Sequence, residues 1–234
     1  MSSIKRTARQ AGLLYTLMAA MNILGFQHAF GRFVVAGDPA ATVRRISEHE
    51  LAYRLAIVND LAAHVLFIFL VVTLYELFRE INRKQALLMV LLVVVPVAGQ
   101  LANLADRFTP LSLPDADLLP AFTEAQRDAV SHAILAIHGN AALVATPFWG
   151  LWLFPFGMLV MKSGYFPRIL GILQMAAGAA YVVVGFVSIV TPAQLEGVLR
   201  VMMPLYFGEV PMILWLLVRG AAAPAIPVSR PSAS

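Results

Sequence analysis

Six apolar stretches, each long enough to cross a bilayer, constrain this chain more than any other feature. A spanning helix needs about 20 mostly apolar residues. The chain of 234 residues is 60% hydrophobic and 13% charged, with a mean hydropathy of +0.78. The sequence therefore predicts an all-α integral membrane bundle of six transmembrane helices. Their expected bounds are about residues 11–31, 53–77, 85–105, 129–153, 167–190 and 198–218.

The six stretches occupy nearly the whole chain, so a single six-helix transmembrane domain is expected over residues 1–220. The remaining residues, 221–234, read "AAAPAIPVSRPSAS". Proline, serine and alanine in such a run are typical of a disordered segment. With an even number of spans, this tail is expected on the same side of the membrane as the N-terminus.

The lysine and arginine positions indicate the orientation, because basic residues beside spans are retained on the cytoplasmic side. With the N-terminus inside, the inner segments hold ten Lys and Arg, and the longer outer segments hold seven. We therefore expect both termini to be cytoplasmic. Aromatic residues near the predicted inner boundary, among them Tyr15, Trp149 and Trp152, are expected to be interfacial anchors.

The composition also excludes several classes of function. The chain has no cysteine, which excludes disulfides, thiolate metal sites and cysteine nucleophiles. Its pI near 9.7 does not indicate nucleic acid, since the basic residues lie beside span ends rather than in a patch interleaved with aromatic residues. The expected partner is the lipid bilayer, and the oligomeric state is left open.

Short motifs predict where three helices begin. An Asp-Pro pair predicts a short surface helix at about residues 39–46 in the first outer loop. Ser47 with Glu50, and Thr123 with Gln126, have the spacing of a capping box, in which a side chain satisfies unpaired N–H groups. Both pairs precede an apolar run, so each is expected to start a helix.

Polar residues within the spans fall mainly in the outer half of the bilayer once the orientation is fixed. The second span meets Asn59, Asp60 and His64 within its first turns, and the third reaches Gln100 and Asn103 near its end. Residues three or four apart share a helix face. The carboxylate and imidazole of the second span are therefore expected to point the same way.

Further histidines extend this outer polar layer. His28 lies near the outer end of the first span, and His132 and His138 lie in the fourth. The last two, six residues apart, are separated by about 120° around a helix. A site that uses both imidazoles therefore needs a helix break or a wide pocket.

The last two spans have different features. The fifth carries two seven-residue repeats, one polar and one of glycines: Gln174, Tyr181 and Ser188, and Gly171, Gly178 and Gly185. Small residues let a neighbouring helix approach closely, so the glycines are expected to pack. In the sixth span, Glu209 lies between Pro204 and Pro211, and two prolines predict a helix kinked around that carboxylate.

The two carboxylates within spans are expected to face the bundle interior. A charged side chain at the bilayer centre costs about 2.5–3.5 kcal/mol on insertion scales. Asp60 and Glu209 should therefore each pair with a cation or keep a proton. Among the arginines, Arg32, Arg54 and Arg107 lie at the outer rim, where they could reach inward.

Several runs make the chain similar to a bacterial multi-pass membrane family known only as a domain of unknown function, DUF4386. They are "GDPAAT", "RLAIVNDLA", "GLWLFPFGMLVMKSGYFPRILGILQMAAGAAYVV" and "GEVPMILWLLVRG". The likeness covers roughly residues 7–220, and its most specific element is Ser163, Gly164, Pro167, Arg168, Leu170 and Gly171.

The resemblance extends to some of the polar residues. Asp60, Tyr181 and Glu209 match polar positions of that family, whereas His64, His132 and His138 do not. The resemblance implies a six-helix protein of the bacterial inner membrane and supplies no activity.

These observations predict an outer-facing polar pocket that holds a small molecule or an ion, with a small lipophilic ligand as one class. The residues expected to bind it are Asp60, His64, Gln100, Asn103, His138, Tyr181 and Glu209. No internal repeat is recognisable, so a receptor-like site is favoured over a transport path.

Two alternatives stay open. Asp60 and Glu209 could be the catalytic acid and base of an isomerase or cyclase that acts on a lipophilic substrate. A metal or haem centre would instead use imidazole nitrogens and a carboxylate. Its ligands would come from His28, Asp60, His64, His132 and His138.

Overall fold

A computed structural model describes residues 3–25, 32–113 and 119–222, which form helices joined by short connections without any β-strand. The helices are α1 (Ser3–Gly25), α2 (Pro39–Glu48), α3 (Glu50–Asn103), α4 (Thr109–Ser112), α5 (Glu124–Leu151), α6 (Leu153–Ser163), α7 (Arg168–Val190), α8 (Leu195–Tyr206) and α9 (Val210–Val218). Three 3₁₀ turns are Leu104–Phe108, Pro192–Gln194 and Phe207–Glu209. His28 and the predicted tail from residue 223 onward lie outside the described residues.

Helix α3 folds back on itself at Asn82. This residue has φ −158° and ψ 98°, and its side-chain oxygen accepts a hydrogen bond from the Gln85 N–H at 3.0 Å, as a helix N-cap does. Tyr53 and Arg107 are 54 residues apart, which is about 80 Å along a straight helix. The Tyr53 hydroxyl nevertheless donates to the Arg107 carbonyl oxygen at 2.9 Å. The two arms of α3 therefore run antiparallel.

Four helical stretches of the described chain are long and apolar enough to cross a membrane, judged by length and composition. They are Glu50–Ser112, Glu124–Ser163, Arg168–Val190 and Pro192–Val218. The first of them contains both arms of α3, which we call the first arm (residues 50–81) and the second arm (residues 83–103). Counted with α1, the described residues form six long helical segments in the order that the sequence predicts.

The fourth segment is longer than its predicted range of 129–153. Trp152, the residue between α5 and α6, has φ −67° and ψ −24°, so the helix continues through it to Ser163. As a result Trp152 is buried in the core, and its ring stacks on Phe156 with centroids 5.4 Å apart. The prediction that Trp152 is an interfacial anchor is wrong.

Two of the predicted helix starts are confirmed. The Asp38 side chain accepts from the Ala41 N–H at 2.9 Å, and α2 begins at the following proline. At the start of α5, the Thr123 N–H donates to Gln126 Oε1 at 2.8 Å, and the Gln126 N–H donates back to Thr123 Oγ1 at 3.3 Å. These caps fix where α2 and α5 begin.

The third predicted start, the capping box of Ser47 and Glu50, is wrong. Helix α2 continues through Ser47, whose hydroxyl donates to the Val43 carbonyl oxygen at 3.1 Å. Glu50 instead forms an ion pair with Arg54, at 2.6 Å between Oε1 and Nε. Helix α2 is longer than predicted, so Ser47 lies inside it rather than capping the start of α3.

The glycine repeat of α7 packs against α5 and α6, as predicted. The facing pairs are Gly171 with Gly157, Gly178 with Gly150, and Gly185 with Pro147. At the two glycine pairs no side chain separates the helices, so the backbones approach closely, and at the third the Pro147 ring lies against Gly185. These contacts hold α7 against α5 and α6.

The turn between α6 and α7 is formed by the most specific run of the sequence. Gly164 has φ 67°, a left-handed conformation that glycine adopts without a steric penalty. The Ser163 hydroxyl donates to the Val160 carbonyl oxygen at 2.9 Å and accepts from the Tyr165 N–H at 3.1 Å. Pro167 follows at the start of α7. These residues therefore have a structural role in the turn.

One end of the bundle gathers basic residues. Lys162 Nζ donates to Gln85 Oε1 at 3.2 Å, which joins the α6–α7 turn to the start of the second arm. Arg9 donates to the Val218 carbonyl oxygen at 2.9 Å, which joins the start of α1 to the end of α9. The basic residues in these segments are Lys5, Arg6, Arg9, Arg79, Arg83, Lys84, Lys162, Arg168 and Arg219. We call this the basic end.

Candidate functional site

A charged cluster lies where the two arms of α3 approach each other, away from the basic end. Asp60 Oδ1 lies 3.4 Å from His64 Nδ1, and Asp60 Oδ2 lies 3.8 Å from Arg107 Nε. His64 shares a helix face with Asp60, as its spacing predicts, whereas Arg107 comes from the 3₁₀ turn that follows the second arm. The hairpin at Asn82 is therefore what brings the guanidinium to the carboxylate.

Backbone carbonyls orient both imidazoles of this cluster. His64 Nδ1 lies 2.8 Å from the Asp60 carbonyl oxygen, and His138 Nδ1 lies 2.9 Å from the Asn103 carbonyl oxygen. A carbonyl oxygen only accepts, so each Nδ1 carries the proton of its bond. In each neutral ring, Nε2 is then the nitrogen with a free lone pair. His138 lies near enough to Asp60 to interact with it electrostatically.

The cluster is partly open to its surroundings. The side chain of Asp60 is 26% exposed, while those of His64 and Arg107 are 16% and 14% exposed. His138 is buried. Asp60 is therefore the most exposed member of the cluster, whereas His138 contributes from within the protein.

A groove of about 280 Å³ lies beside this cluster, between the second arm and α5. Its walls are mainly apolar and include Val144 and Phe148. Gln100 and Asn103 supply polar groups on the second arm, and Gly99 leaves open space in its wall. The groove and the cluster are adjacent because the Asn103 carbonyl oxygen accepts the hydrogen bond from His138.

A second polar group lies in another part of the bundle, around Glu209. The 3₁₀ turn Phe207–Glu209 interrupts the last helix between two prolines, as the sequence predicts. The hydroxyl of Tyr15, a buried residue of α1, donates to Glu209 Oε2. Tyr181 of α7 lies close enough to this carboxylate to interact with it, and its ring stacks on Tyr206 at 4.2 Å between centroids.

The structure thus divides the predicted ligand-binding residues between two places. Asp60, His64 and His138 share the charged cluster, with Gln100 and Asn103 lining the adjacent groove. Tyr181 and Glu209 belong to the other group, which we call the Glu209 group, and its contacts include no residue of the cluster. Asp60 and Glu209, considered above as an acid–base pair, therefore have separate surroundings.

Sequence reasoning missed Tyr15 as a functional candidate. Its predicted role as an interfacial anchor is wrong, because the side chain is buried and its hydroxyl faces Glu209. No local signal marks this role, since Tyr15 is followed and preceded by ordinary helical residues of α1. Only the packing of α1 against α9 brings the phenol to the carboxylate.

The geometry gives the metal hypothesis no support. Within residues 3–25, 32–113 and 119–222, no group of three or more His, Asp or Glu side chains is arranged to hold a metal ion. His132 has a buried Nδ1 without a hydrogen-bond partner, and His28 lies outside the described residues. The imidazoles of the charged cluster therefore have the surroundings of hydrogen-bonding groups.

Long apolar helices, a charged cluster between them and an adjoining groove define a multi-pass, membrane-type helical bundle. In a comparison with known families, residues 10–220 match the domain of unknown function DUF4386. The chain belongs to that family. The match covers both the charged cluster and the Glu209 group.

A separate comparison with individual proteins finds similarity to an uncharacterized protein of Archaeoglobus fulgidus. It is 36% identical to this chain over 73 residues, which are 31% of this chain and 42% of the archaeal protein. The chain thus matches less than half the length of that relative. No solved structure matches the chain.

Proposed function

We propose that this protein crosses the bacterial inner membrane with six helices and binds a small lipophilic molecule that carries a polar group. The observation that carries this proposal is the position of the groove beside the charged cluster. The apolar part of the ligand would occupy the groove between the second arm and α5. Its polar group would lie at Gln100 and Asn103, within reach of the cluster around Asp60.

The number of spans and their direction form part of the proposal. The six long helical segments have the lengths that spanning helices need. The basic end supports a cytoplasmic position for both termini, because lysine and arginine beside spans are retained there. The charged cluster would then lie in the outer half of the bilayer.

A lipophilic ligand is favoured over a water-soluble one by the groove's surface. Val95 and Val144, on opposite walls, are mostly exposed, so the groove opens on the flank of the bundle, where lipid would contact it. Moving a hydrocarbon chain from lipid into contact with such walls changes its free energy little, because both surroundings are apolar. Specificity would therefore come from the polar end, where an unmatched polar group is costly.

The test is to fill the groove and measure what the protein retains. We would replace Gly99 by leucine, because a Cβ atom added at this glycine meets nothing within 4 Å. Wild-type protein purified in mild detergent would be extracted with organic solvent, and the retained small molecules would be quantified by mass spectrometry. We expect a retained lipophile that falls about tenfold in Gly99→Leu, a loss of about 1.4 kcal/mol of binding free energy.

The matched control is Gly139→Leu. Gly139 is also helical, exposed and without neighbours around an added Cβ, but it does not line the groove. This variant should retain the same molecule at the wild-type level. Equal retention by all three proteins, or no retained lipophile in wild type, would contradict the proposal.

A further inference from the structure

The Glu209 group contains a carboxylate without a basic partner. Tyr15 donates a hydrogen bond to it, and Tyr181 lies close enough to interact with it. No lysine, arginine or histidine of the described ranges contacts Glu209. An ionised carboxylate inside a spanning helix is costly, and a counter-charge or a proton relieves that cost.

The two phenols suit the ionised form of this carboxylate. The Tyr15 O–H donates a hydrogen bond to it, and Tyr181, which lies beside it, has a second O–H to donate. A protonated carboxyl has a different requirement, because its own O–H must find an acceptor. The phenol oxygens also have lone pairs, but the Tyr15 hydroxyl already donates to the carboxylate.

Gln174 provides an unused acceptor next to this site. Its side chain is 0% exposed, and its Nε2 donates to the Gly208 carbonyl oxygen at 3.2 Å. Because that carbonyl only accepts, the amide nitrogen must face it, which leaves Oε1 on the other side of the amide. Gln174 Oε1 is buried and has no hydrogen-bond partner. A buried acceptor without a donor is unusual and costs free energy.

Gln174 and Tyr181 reach the same turn of the last helix. They lie seven residues apart on α7, so they share a helix face, and they contact the adjacent residues Gly208 and Glu209. The side chain of Gln174, with its unused oxygen, therefore lies one residue away from the carboxyl group that would gain a donor on protonation.

We propose that Glu209 is a proton-binding site within the membrane, which exchanges a proton between two hydrogen-bonded states. In the ionised state the carboxylate accepts from Tyr15 and Tyr181. In the protonated state the carboxyl O–H donates to Gln174 Oε1. The titratable groups that face Glu209 are Tyr15 from α1, Tyr181 from α7 and, stacked on Tyr181, Tyr206 from α8.

This site does not depend on the proposed ligand groove, because the two have no residue in common. A proton is also the ligand that this position fits best. Tyr15 and Gln174 are fully packed, so a proton can bind without opening the helices that surround it.

Infrared spectroscopy of the full chain in lipid nanodiscs would test the proposal. The carbonyl stretch of a protonated carboxyl is distinct from that of a carboxylate. We would record wild-type and Glu209→Gln spectra from about pH 5 to about pH 9, a range in which buried carboxyls titrate. We expect a protonated-carboxyl band in wild type that titrates within this range and is missing from Glu209→Gln.

Two further variants separate proton exchange from a merely structural carboxyl. Tyr181→Phe removes a donor to the ionised form, so the titration midpoint should move up by about one pH unit. Gln174→Leu removes the acceptor of the protonated form, so the midpoint should move down by about the same amount. Opposite shifts are the signature of the two states.

Several results would overturn the proposal. A spectrum without any band that depends on Glu209 would show a carboxylate that stays ionised. A band that does not change with pH would show a carboxyl that never releases its proton. Midpoints that stay fixed, or move the same way in both variants, would remove the assigned roles of Tyr181 and Gln174. The groove variant Gly99→Leu should leave the titration unchanged, so failure of one proposal is distinguishable from failure of the other.

Discussion

Gly157 and Gly171 lie so close together that the backbone of each occupies the space of the other's side chain. A Cβ built on either residue would lie 2.5 Å from the carbonyl oxygen of the other. This is far shorter than the 3.5–4.0 Å or so at which non-bonded carbon atoms pack. The contact joins α6 to α7 and thereby places Gln174 and Tyr181 beside the last helix.

The first prediction concerns this contact. Gly157→Ala should lower the free energy of unfolding by about 1–3 kcal/mol, because overpacking a close contact shifts backbone that has no room to move. The measurement is reversible denaturant unfolding of the purified protein in mixed micelles, with wild type alongside.

Gly197→Ala is the matched control for that prediction. Gly197 also lies in a helix, but a Cβ there would meet nothing within 4 Å. Alanine loses less chain entropy on folding than glycine, so this change should leave stability unchanged or raise it by up to about 1 kcal/mol. If the two alanine variants unfold alike, the close approach of α6 and α7 is not tight in solution.

The second prediction concerns the pair of Asp60 and Arg107. Each single replacement, Asp60→Asn or Arg107→Met, should destabilise the protein, because it leaves a mostly buried charge with fewer partners. The double variant should lose less than the sum of both. We expect a coupling free energy of about 1–3 kcal/mol, within the range for residues of one ion-pair network.

An exposed ion pair supplies the control for this double-mutant cycle. Glu196 and Arg200 pair at 2.6 Å on α8, but their side chains are about 80% exposed. Solvent screens such a pair, so its coupling should be much smaller than that of Asp60 with Arg107. Additive effects of Asp60→Asn and Arg107→Met would show that the charged cluster does not form as described.

The third prediction concerns Tyr15 and the Glu209 group. Tyr15→Phe removes one donor to the carboxylate and should lower the free energy of unfolding by about 1.5–3 kcal/mol. Tyr75→Phe, in the first arm of α3, is the control, since the Tyr75 side chain forms no hydrogen bond with any residue that the structure describes. A Tyr15→Phe variant as stable as Tyr75→Phe would show that the phenol does not support Glu209.

The Asp60 cluster shows which part of a site can be predicted from sequence in this protein. The i, i+4 spacing of Asp60 and His64 is a property of one helix, and their shared face follows directly from it. Arg107 reaches the same carboxylate only because the chain reverses at Asn82 and the two arms pair in a particular register. From the sequence, Arg107 is among the arginines that could reach inward, and its partner is not specified.

Glu209 shows the corresponding limit for the arrangement of whole helices. Two flanking prolines predict the kink, and the structure has a 3₁₀ turn there. Whether Glu209 shares a pocket with Asp60 depends on which helices are neighbours. That arrangement depends on long-range contacts, such as the glycine faces of α7 and the packing of α1 on α9, which hydrophobic periodicity does not encode.

The fourth prediction tests the six-span topology at the α3 hairpin. The chain has no cysteine, so a single introduced cysteine reports its own accessibility. Arg44, on α2, and Lys84, just after the reversal at Asn82, are both exposed. If the first arm crosses the membrane and both termini are cytoplasmic, these two positions lie on opposite sides.

A membrane-impermeant maleimide applied to intact cells should therefore label Arg44→Cys and leave Lys84→Cys unlabelled until the membrane is permeabilised. A permeant maleimide should label both variants, which controls for expression and for local burial. Labelling of both positions in intact cells would place the hairpin turn outside and contradict six spans. The reverse pattern would keep the hairpin but invert the protein, and the basic end would then have to lie on the outer side, against the retention of lysine and arginine in the cytoplasm.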